Sequence, residues 1–187
     1  MSADAANRQR WVQPEWWGPL PGWIGGVVPF NLLLGKSEAG AVLAENLTVY
    51  PNGIAFDLHA LLRPGGEPQQ EEEVLPTDRV RYGIEFEDGR RAERAAPVGG
   101  PGDFTIMAFQ EGRQVAPDPS ANVVLNAGSS GSGPEYLWES RFIWPLPSDP
   151  LTFFCEWEDA GIAEQRVSIH ADALQDALER AHPGWSG

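Results

Sequence analysis

Apolar and polar residues alternate along much of this chain, most clearly in residues 46–62, NLTVYPNGIAFDLHALL. Leu47 and Val49 share one face of an extended chain, and after Pro51-Asn52-Gly53 a second apolar face begins. That face consists of Ile54, Phe56, Leu58, Ala60 and Leu62. Asn-Gly between two alternating segments is a strong turn signal. The segment therefore predicts an antiparallel β-hairpin.

The same period of two recurs in further segments and predicts about eight short strands. The predicted strands are 27–34, 41–50, 54–62, 79–87, 103–110, 136–144, 151–158 and 164–169, with a weaker one at 121–125. Without β-α-β alternation, this order predicts an all-β antiparallel β-sandwich, immunoglobulin-like in the first place, with a jelly roll or an open barrel as the alternative.

The period changes near the C-terminus, where a short helix is predicted over residues 171–182. Its apolar face consists of Ala171, Leu174, Ala177, Leu178 and Ala181. The predicted organisation is an N-terminal arm (1–25), a β-sandwich domain (26–170) and this C-terminal helix. The helix could cap an open end of the sheets or pair with a second copy.

The N-terminal arm combines tryptophans with prolines, and proline excludes a regular helix there. Its tryptophans are Trp11, Trp16, Trp17 and Trp23. One interpretation lays the arm across the sandwich so that the indoles cover an open face, because a sheet needs such covering. The other is a partner-binding arm, since tryptophan is enriched at interface hot spots. Phe154, predicted to be an exposed aromatic among polar neighbours, joins these four as a candidate partner-binding residue.

Two polar stretches could suggest ligand sites, but both favour plain loops. Residues 126–134, NAGSSGSGP, are glycine-rich without a phosphate-binding motif and predict a flexible hairpin loop. The run Glu71-Glu72-Glu73 predicts a solvated loop, because three adjacent carboxylates cannot all converge on one ion.

Charge and composition narrow the possible partners. The formal net charge of −14 disfavours nucleic acids and anionic membranes. A single cysteine, Cys155, excludes an intrachain disulfide. Without a signal peptide or a long apolar run, a soluble cytoplasmic protein is expected. A protein partner is possible, and the oligomeric state stays open.

No residue pattern points to catalysis, a cofactor or a metal. Cys155 lies between Phe153 and Trp157 on an apolar face, where burial makes a thiol inert. Asp57 and His59 share the face opposite to the apolar one and predict a surface pair, with a metal-binding or acid-base pair as the alternative. Glu156 and Glu158 predict an outer strand face, paired with Arg141 or Arg166.

Several motifs suggest a family resemblance over somewhat under half of the chain. The motifs are YPNG before an alternating strand, then WPLP, LTFFCEW and GIAEQR followed by a helix. In these motifs the chain resembles a family of uncharacterised actinobacterial proteins. The resemblance implies an actinobacterial source and a compact domain, and it brings no activity.

Two functions follow from these observations. The first is a non-enzymatic protein-interaction module that uses the arm, Phe154 or a sheet edge. The alternative is a small-molecule or carbohydrate-binding domain, or even a hydrolase. That alternative predicts a pocket lined by Trp138, Trp144 or Trp157, with Glu156 pointing inward.

Overall fold

The structure is a computed structural model that describes residues 12–64, 79–94, 109–110, 113–114 and 117–185. It is mostly β, with antiparallel sheets and one short α-helix. The strands are β1 (Trp23–Ile24), β2 (Gly26–Val27), β3 (Leu32–Lys36), β4 (Gly40–Tyr50), β5 (Gly53–Leu62), β6 (Arg81–Phe86), β7 (Arg91–Arg94), β8 (Phe109–Gln110), β9 (Arg113–Gln114), β10 (Val124–Gly133), β11 (Tyr136–Trp144), β12 (Leu151–Trp157), β13 (Ile162–Ile169) and β14 (His182–Pro183). Helix α1 spans Ala171–Arg180, and short 3-10 turns lie at Glu15–Trp17 and Glu158–Ala160.

The larger sheet has the strand order β10-β11-β5-β4-β2, with β3 also paired to β4. The predicted hairpin is present as β4 and β5, because Tyr50 pairs with Gly53 across the two turn residues Pro51 and Asn52. Gly53 is not among the glycines with positive φ. A Cβ at Gly53 would lie only 2.1 Å from the carbonyl oxygen of Ile143 on β11, so close packing of the strands requires glycine there.

The smaller sheet has the order β13-β12-β6-β7. Two glycines with positive φ allow the chain to reverse at its hairpins: Gly89 (φ 84°) between β6 and β7, and Gly161 (φ 66°) between β12 and β13. A residue with a Cβ would be strained in this left-handed region. Both hairpins therefore depend on glycine for their backbone conformation.

The two sheets face each other across one hydrophobic core. Phe56 on β5 and Phe153 on β12 meet edge to face, with ring centroids 5.2 Å apart and planes at 87°. Tyr82 and Trp157 are fully buried in the same core. Burying one large apolar side chain contributes about 1.5–3 kcal/mol, so the buried side chains of this layer stabilise the packing of the two sheets.

Helix α1 closes one end of the core through its buried residues Leu174 and Ala177. Gly26 on β2 permits this contact, because a Cβ there would lie 1.7 Å from the carbonyl oxygen of Ala177. Arg180 also donates a hydrogen bond to the carbonyl oxygen of Val27, at 2.8 Å. The helix ends at Arg180, and after Ala181 the chain forms β14, which pairs with β1.

The glycine-rich segment predicted as a flexible loop is instead part of a strand, β10. Its pairs with β11 run from Val124 opposite Trp144 to Gly133 opposite Tyr136. The aromatic ring of Tyr136 lies so close to Gly133 that a Cβ there would be 2.6 Å from it. Pairing with an aromatic strand thus overrides the weak strand propensity of glycine and serine.

Some predictions fall outside the described residues. These are the acidic run at 71–73 and residues 103–108 of one predicted strand, whose last two residues form β8. Of the helices in the described part of the chain, none is long and apolar enough to cross a membrane.

Candidate interaction surface

The outer face of the larger sheet carries a row of large side chains across four strands. Leu33 pairs with Leu43, Leu43 with His59, and His59 with Trp138. In the next row, Leu61 pairs with Tyr136. We call this surface the open half; it consists of Leu33, Leu43, His59, Leu61, Tyr136 and Trp138. Three of its members are strongly exposed: Leu33 50%, Leu61 44% and Tyr136 50%.

The open half is exposed because the neighbouring strand β10 places glycines opposite its two aromatic residues. On β10, Gly131 lies opposite Trp138 and Gly133 lies opposite Tyr136. A Cβ placed at Gly131 would come no closer than 3.9 Å to the Trp138 ring, so there is room for one. The small residues of β10 therefore leave the aromatic rings of β11 accessible from the side.

Two carboxylates border the open half. Glu45 pairs with Asp57 in the row beside His59. The Glu45 carboxylate accepts a hydrogen bond from Asn31 at 3.3 Å and lies 3.8 Å from His59 Nε2, and Asp57 accepts one from Asn46 at 2.9 Å. Of the lysines and arginines that the structure describes, none forms an ion pair with either carboxylate. The open half is therefore apolar with an acidic border.

The other half of the same outer face is covered by the N-terminal arm. Trp16 packs on Trp144 edge to face, with ring centroids 6.2 Å apart and planes at 64°. Around this pair lies a small apolar cluster separate from the main core, which also contains Val124, Phe142, Tyr50 and Ala55. We call this region the covered half.

The side chain of Asn52 holds the arm in place. Its Nδ2 donates hydrogen bonds to the carbonyl oxygens of Glu15 (2.7 Å) and Gly18 (2.9 Å), and its Oδ1 accepts one from the amide of Leu20 (3.3 Å). Asn126 on β10 adds a hydrogen bond to the carbonyl oxygen of Trp17 at 2.8 Å. The turn of the predicted hairpin thus also anchors the arm.

The predicted partner-binding tryptophans that the structure describes lie in different surroundings. Trp16 faces the covered half, and Trp17 beside it is 38% exposed. Trp23 is half-buried on β1, opposite Pro183. Trp11 lies outside the described residues.

Phe154 was predicted to be exposed, and this prediction is wrong. Its side chain is 2% exposed on the outer face of the smaller sheet. The guanidinium groups of Arg91 and Arg166 lie over its ring, with each Cζ atom 4.5 and 5.9 Å, respectively, from the ring centroid. The ring also lies over Gly83, where a Cβ would be 2.5 Å from it. Long arginine side chains cover the aromatic ring that alternation alone would leave exposed.

Ion pairs complete the outer face of the smaller sheet. Arg81 pairs with Glu156 on the neighbouring strand, and Arg166 pairs with Glu85 at 3.1 Å. The predicted pairing of Glu156 with Arg141 or Arg166 is therefore wrong. Arg141 lies on the larger sheet, and Arg166 pairs across the sheet with Glu85 instead.

A buried charge network links the two sheets. Glu139 on β11 accepts hydrogen bonds from Arg141 (2.7 Å) and from the hydroxyl of Tyr82. Arg94 on β7 forms an ion pair with the same carboxylate at 3.1 Å. Burial, followed by the charge of Glu139, raises the pKa of Tyr82 well above its ordinary value. Tyr82 therefore stays protonated and donates, and the network is a satisfied structural contact.

The potential nucleophile and metal ligands are not gathered into a reactive site. Cys155 is fully buried, and burial raises the pKa of its thiol to about 11. Asp57 and His59 lie on the outer face of the larger sheet, as predicted. In the part of the chain that the structure describes, His, Cys, Asp and Glu form no group of three or more that could hold a metal ion.

The predicted tryptophan pocket is not formed. Trp157 is fully buried in the core and Trp144 is 6% exposed under the arm, whereas Trp138 lies on the open half. Glu156 points to Arg81 on the opposite outer face. The residues proposed to line one pocket thus lie in three different places: the core, the outer face of the larger sheet and the outer face of the smaller sheet.

A second group of exposed apolar side chains lies near the C-terminus. Ile24, Val27 and Trp185 are 51%, 56% and 77% exposed. Sequence reasoning missed this group as well as Leu33 and Leu61.

No protein-family model, no curated protein and no solved structure matches this chain. The resemblance drawn from the sequence motifs therefore stays a prediction.

Proposed function

We propose that this protein is a non-enzymatic interaction module that binds a protein segment on the open half. The observation that carries the proposal is the row Leu43, His59 and Trp138, with Leu61 and Tyr136 beside it. Contiguous exposed apolar side chains mark interaction sites on soluble proteins, and Trp and Tyr are enriched among the residues that carry most of the binding energy.

The charge of the protein indicates the chemistry of the partner. The acidic border formed by Glu45 and Asp57 lies beside the apolar rows, and the formal net charge of the whole chain is −14. A segment with apolar side chains flanked by arginine or lysine complements both features. Basic residues would steer the approach of the partner, and the apolar contacts would supply most of the affinity.

A matched pair of full-chain variants tests this proposal. Leu61→Glu places a negative charge in the open half, and Gln165→Glu places the same charge on an exposed position of β13. Proteins that the wild type captures from the native host's lysate are identified, purified and titrated against the three chains by calorimetry. We expect a basic partner whose Kd is unchanged by Gln165→Glu and weakened at least about tenfold, or about 1.4 kcal/mol, by Leu61→Glu.

A third variant compares the two exposed apolar groups. Trp185→Ala removes the most exposed side chain of the second group. If this change abolishes binding while Leu61→Glu preserves it, the binding surface lies at the C-terminal group and the proposal fails. It also fails if every purified candidate binds Leu61→Glu as tightly as the wild type.

We also infer that the two sheets form an immunoglobulin-like β-sandwich. In immunoglobulin notation, β4, β5, β6 and β7 correspond to strands A, B, C and C′, and β10 to β13 correspond to strands D to G. The larger sheet then has the order A-B-E-D, and the smaller sheet has the order G-F-C-C′. The edge-to-face pair of Phe56 and Phe153 then links strands B and F, where antibody domains carry their inter-sheet disulfide. A crystal structure with a different strand order would contradict this assignment.

A further inference from the structure

We propose that the partner segment on the open half carries an aspartate or glutamate that binds between Lys36 and Arg63. These two cations line a shallow hollow next to the open half. We call it the basic hollow; its lining includes Lys36, Ser37, Glu38, Leu61, Leu62 and Arg63. This inference rests on the proposed function, because it specifies the charge order of the same segment.

The strand register joins the basic hollow to the open half. Lys36 pairs with Ala41, and Ala41 pairs with Leu61, so the lysine lies in a row of the open half. Arg63 directly follows β5, and its amide donates a hydrogen bond to the carbonyl oxygen of Ala39 at 2.7 Å. Both cations therefore lie at the same end of the open half.

The turn between β3 and β4 fixes the backbone around the hollow. The hydroxyl of Ser37 accepts hydrogen bonds from the amides of Ala39 (3.0 Å) and Gly40 (3.1 Å), and it donates one to the carbonyl oxygen of Ala160 (2.5 Å). Lys36 directly precedes this turn. The backbone positions of the two cations are thus set by the fold before a ligand binds.

The two cations can take up a carboxylate from another molecule. Both side chains are exposed, and among the described residues no carboxylate forms an ion pair with Lys36 or Arg63. Glu38 is the one carboxylate of the described lining, against two cations, so the hollow favours an anion. Arginine can hold a carboxylate through two parallel hydrogen bonds, and lysine adds a further charged donor.

The outer face therefore changes its charge along the strands. Glu45 and Asp57 form the acidic border at one end of the open half, and the basic hollow lies at the other end. Along β4 and β5 the two ends are four to six residues apart, or about 13–20 Å. The complementary extended segment has a basic residue, then large apolar side chains, and an acidic residue four to six positions from the basic one.

Two short peptides test the basic hollow without the partner. Acetylated and amidated Leu-Glu-Leu and Leu-Gln-Leu are titrated into the full chain containing isotope-labelled lysine. Because Lys36 is the single lysine, its side chain gives an unambiguous NMR signal. We expect a saturable shift of this signal with the glutamate peptide and none with the glutamine peptide. Equal shifts with both peptides, or a shift with neither, would overturn the proposal.

Substitutions of matched charge test the partner segment. Lys36→Gln, Arg63→Gln and the control Gln165→Glu each lower the net charge of the full chain by one. Because the expected partner is basic, the long-range field alone would keep or tighten its binding to all three chains. A carboxylate in the hollow instead predicts that Lys36→Gln and Arg63→Gln each raise the Kd of the purified partner about two- to fivefold, and that the control does not. Unchanged or tighter binding by both hollow variants would contradict the proposal.

The two proposals can fail separately. If no purified partner depends on Leu61, the interaction module fails, and the peptide titration alone decides whether the hollow binds a carboxylate. If a partner depends on Leu61 but binds the Lys36→Gln and Arg63→Gln chains as tightly as the wild type, the interaction module stands and the acidic residue of its partner does not.

Discussion

The outer face of the smaller sheet is closed by its own side chains, whereas the outer face of the larger sheet is closed over one half only. On the smaller sheet, Arg91 and Arg166 lie over Phe154, and carboxylates on neighbouring strands pair with arginines. On the larger sheet, Trp16 covers Phe142 and Trp144, and the rows beyond them stay exposed.

The difference arises from the neighbouring strands. Phe154 lies opposite Arg166 on one adjoining strand and over Gly83 on the other, and Arg91 reaches its ring from the strand beyond Gly83, so the sheet itself covers the ring. Trp138 and Tyr136 have Gly131 and Gly133 opposite them, and glycine has nothing to cover a ring with. An aromatic residue on an outer face is therefore buried or left exposed according to the long side chains that reach it from neighbouring strands.

The largest expected effect on stability is at Glu139, which lies between the two sheets. Glu139→Ala leaves Arg94 and Arg141 buried without their carboxylate, so the free energy of unfolding should fall by about 3–5 kcal/mol. The control is Glu85→Ala, which removes the exposed partner of Arg166 and should cost much less, because solvent screens that pair. Urea denaturation of both variants checks this. Equal losses of unfolding free energy would contradict the burial of the Glu139 ion pairs.

The same substitution on the two outer faces should have different effects. Gly83→Ala brings a Cβ to 2.4 Å from the carbonyl oxygen of Ala92 and 2.5 Å from the Phe154 ring, so we expect a loss of about 1–3 kcal/mol. Gly131→Ala meets only the Trp138 ring at 3.9 Å, so its effect should range from neutral to a gain of about 1 kcal/mol. Thermal denaturation measures both, and a destabilised Gly131→Ala would contradict the open surface.

Releasing the arm should expose the covered half as well. Asn52→Ala removes the hydrogen bonds to Glu15, Gly18 and Leu20, and should lower the free energy of unfolding by about 1–2 kcal/mol. Hydrogen exchange should become faster at the amides of the covered half. The exposed Asn31→Ala serves as the control, and identical exchange in both variants would show that Asn52 does not hold the arm.

The smallest expected effect on stability lies on the open half. Leu61→Glu should change the free energy of unfolding by no more than about 0.5 kcal/mol, because the side chain is 44% exposed. Urea denaturation beside Gln165→Glu checks this. A loss of unfolding free energy comparable to that of Gly83→Ala would mean that Leu61 has a structural role. Weaker binding by the Leu61→Glu variant would then reflect unfolding and not a lost contact with the partner.

Much of the strand pattern could be predicted from alternation alone. The hairpin of β4 and β5 is confirmed, and so is the placement of Asp57 and His59 opposite to the apolar face. The predicted strand at 136–144 is present as β11, and the period of two accounts for the shared face of Tyr136, Trp138, Phe142 and Trp144.

Alternation could not tell which face of β11 points inward. The inward face carries Glu139 and Arg141, whose burial is possible only because Tyr82 and Arg94 meet them from the other sheet. That pairing joins residues far apart in the sequence. The burial of Phe154 could not be predicted for the same reason, because Arg91 and Arg166 reach it from two other strands.

The most direct test of the account compares the two outer faces in the cell of the native host. A benzophenone amino acid replaces Tyr136 on the open half in one chain and Ser168 on the smaller sheet in another, and both are irradiated. The account predicts a cross-linked protein partner from position 136 and none from position 168. A partner cross-linked from position 168 alone, or equally from both positions, would contradict the open half as the binding surface.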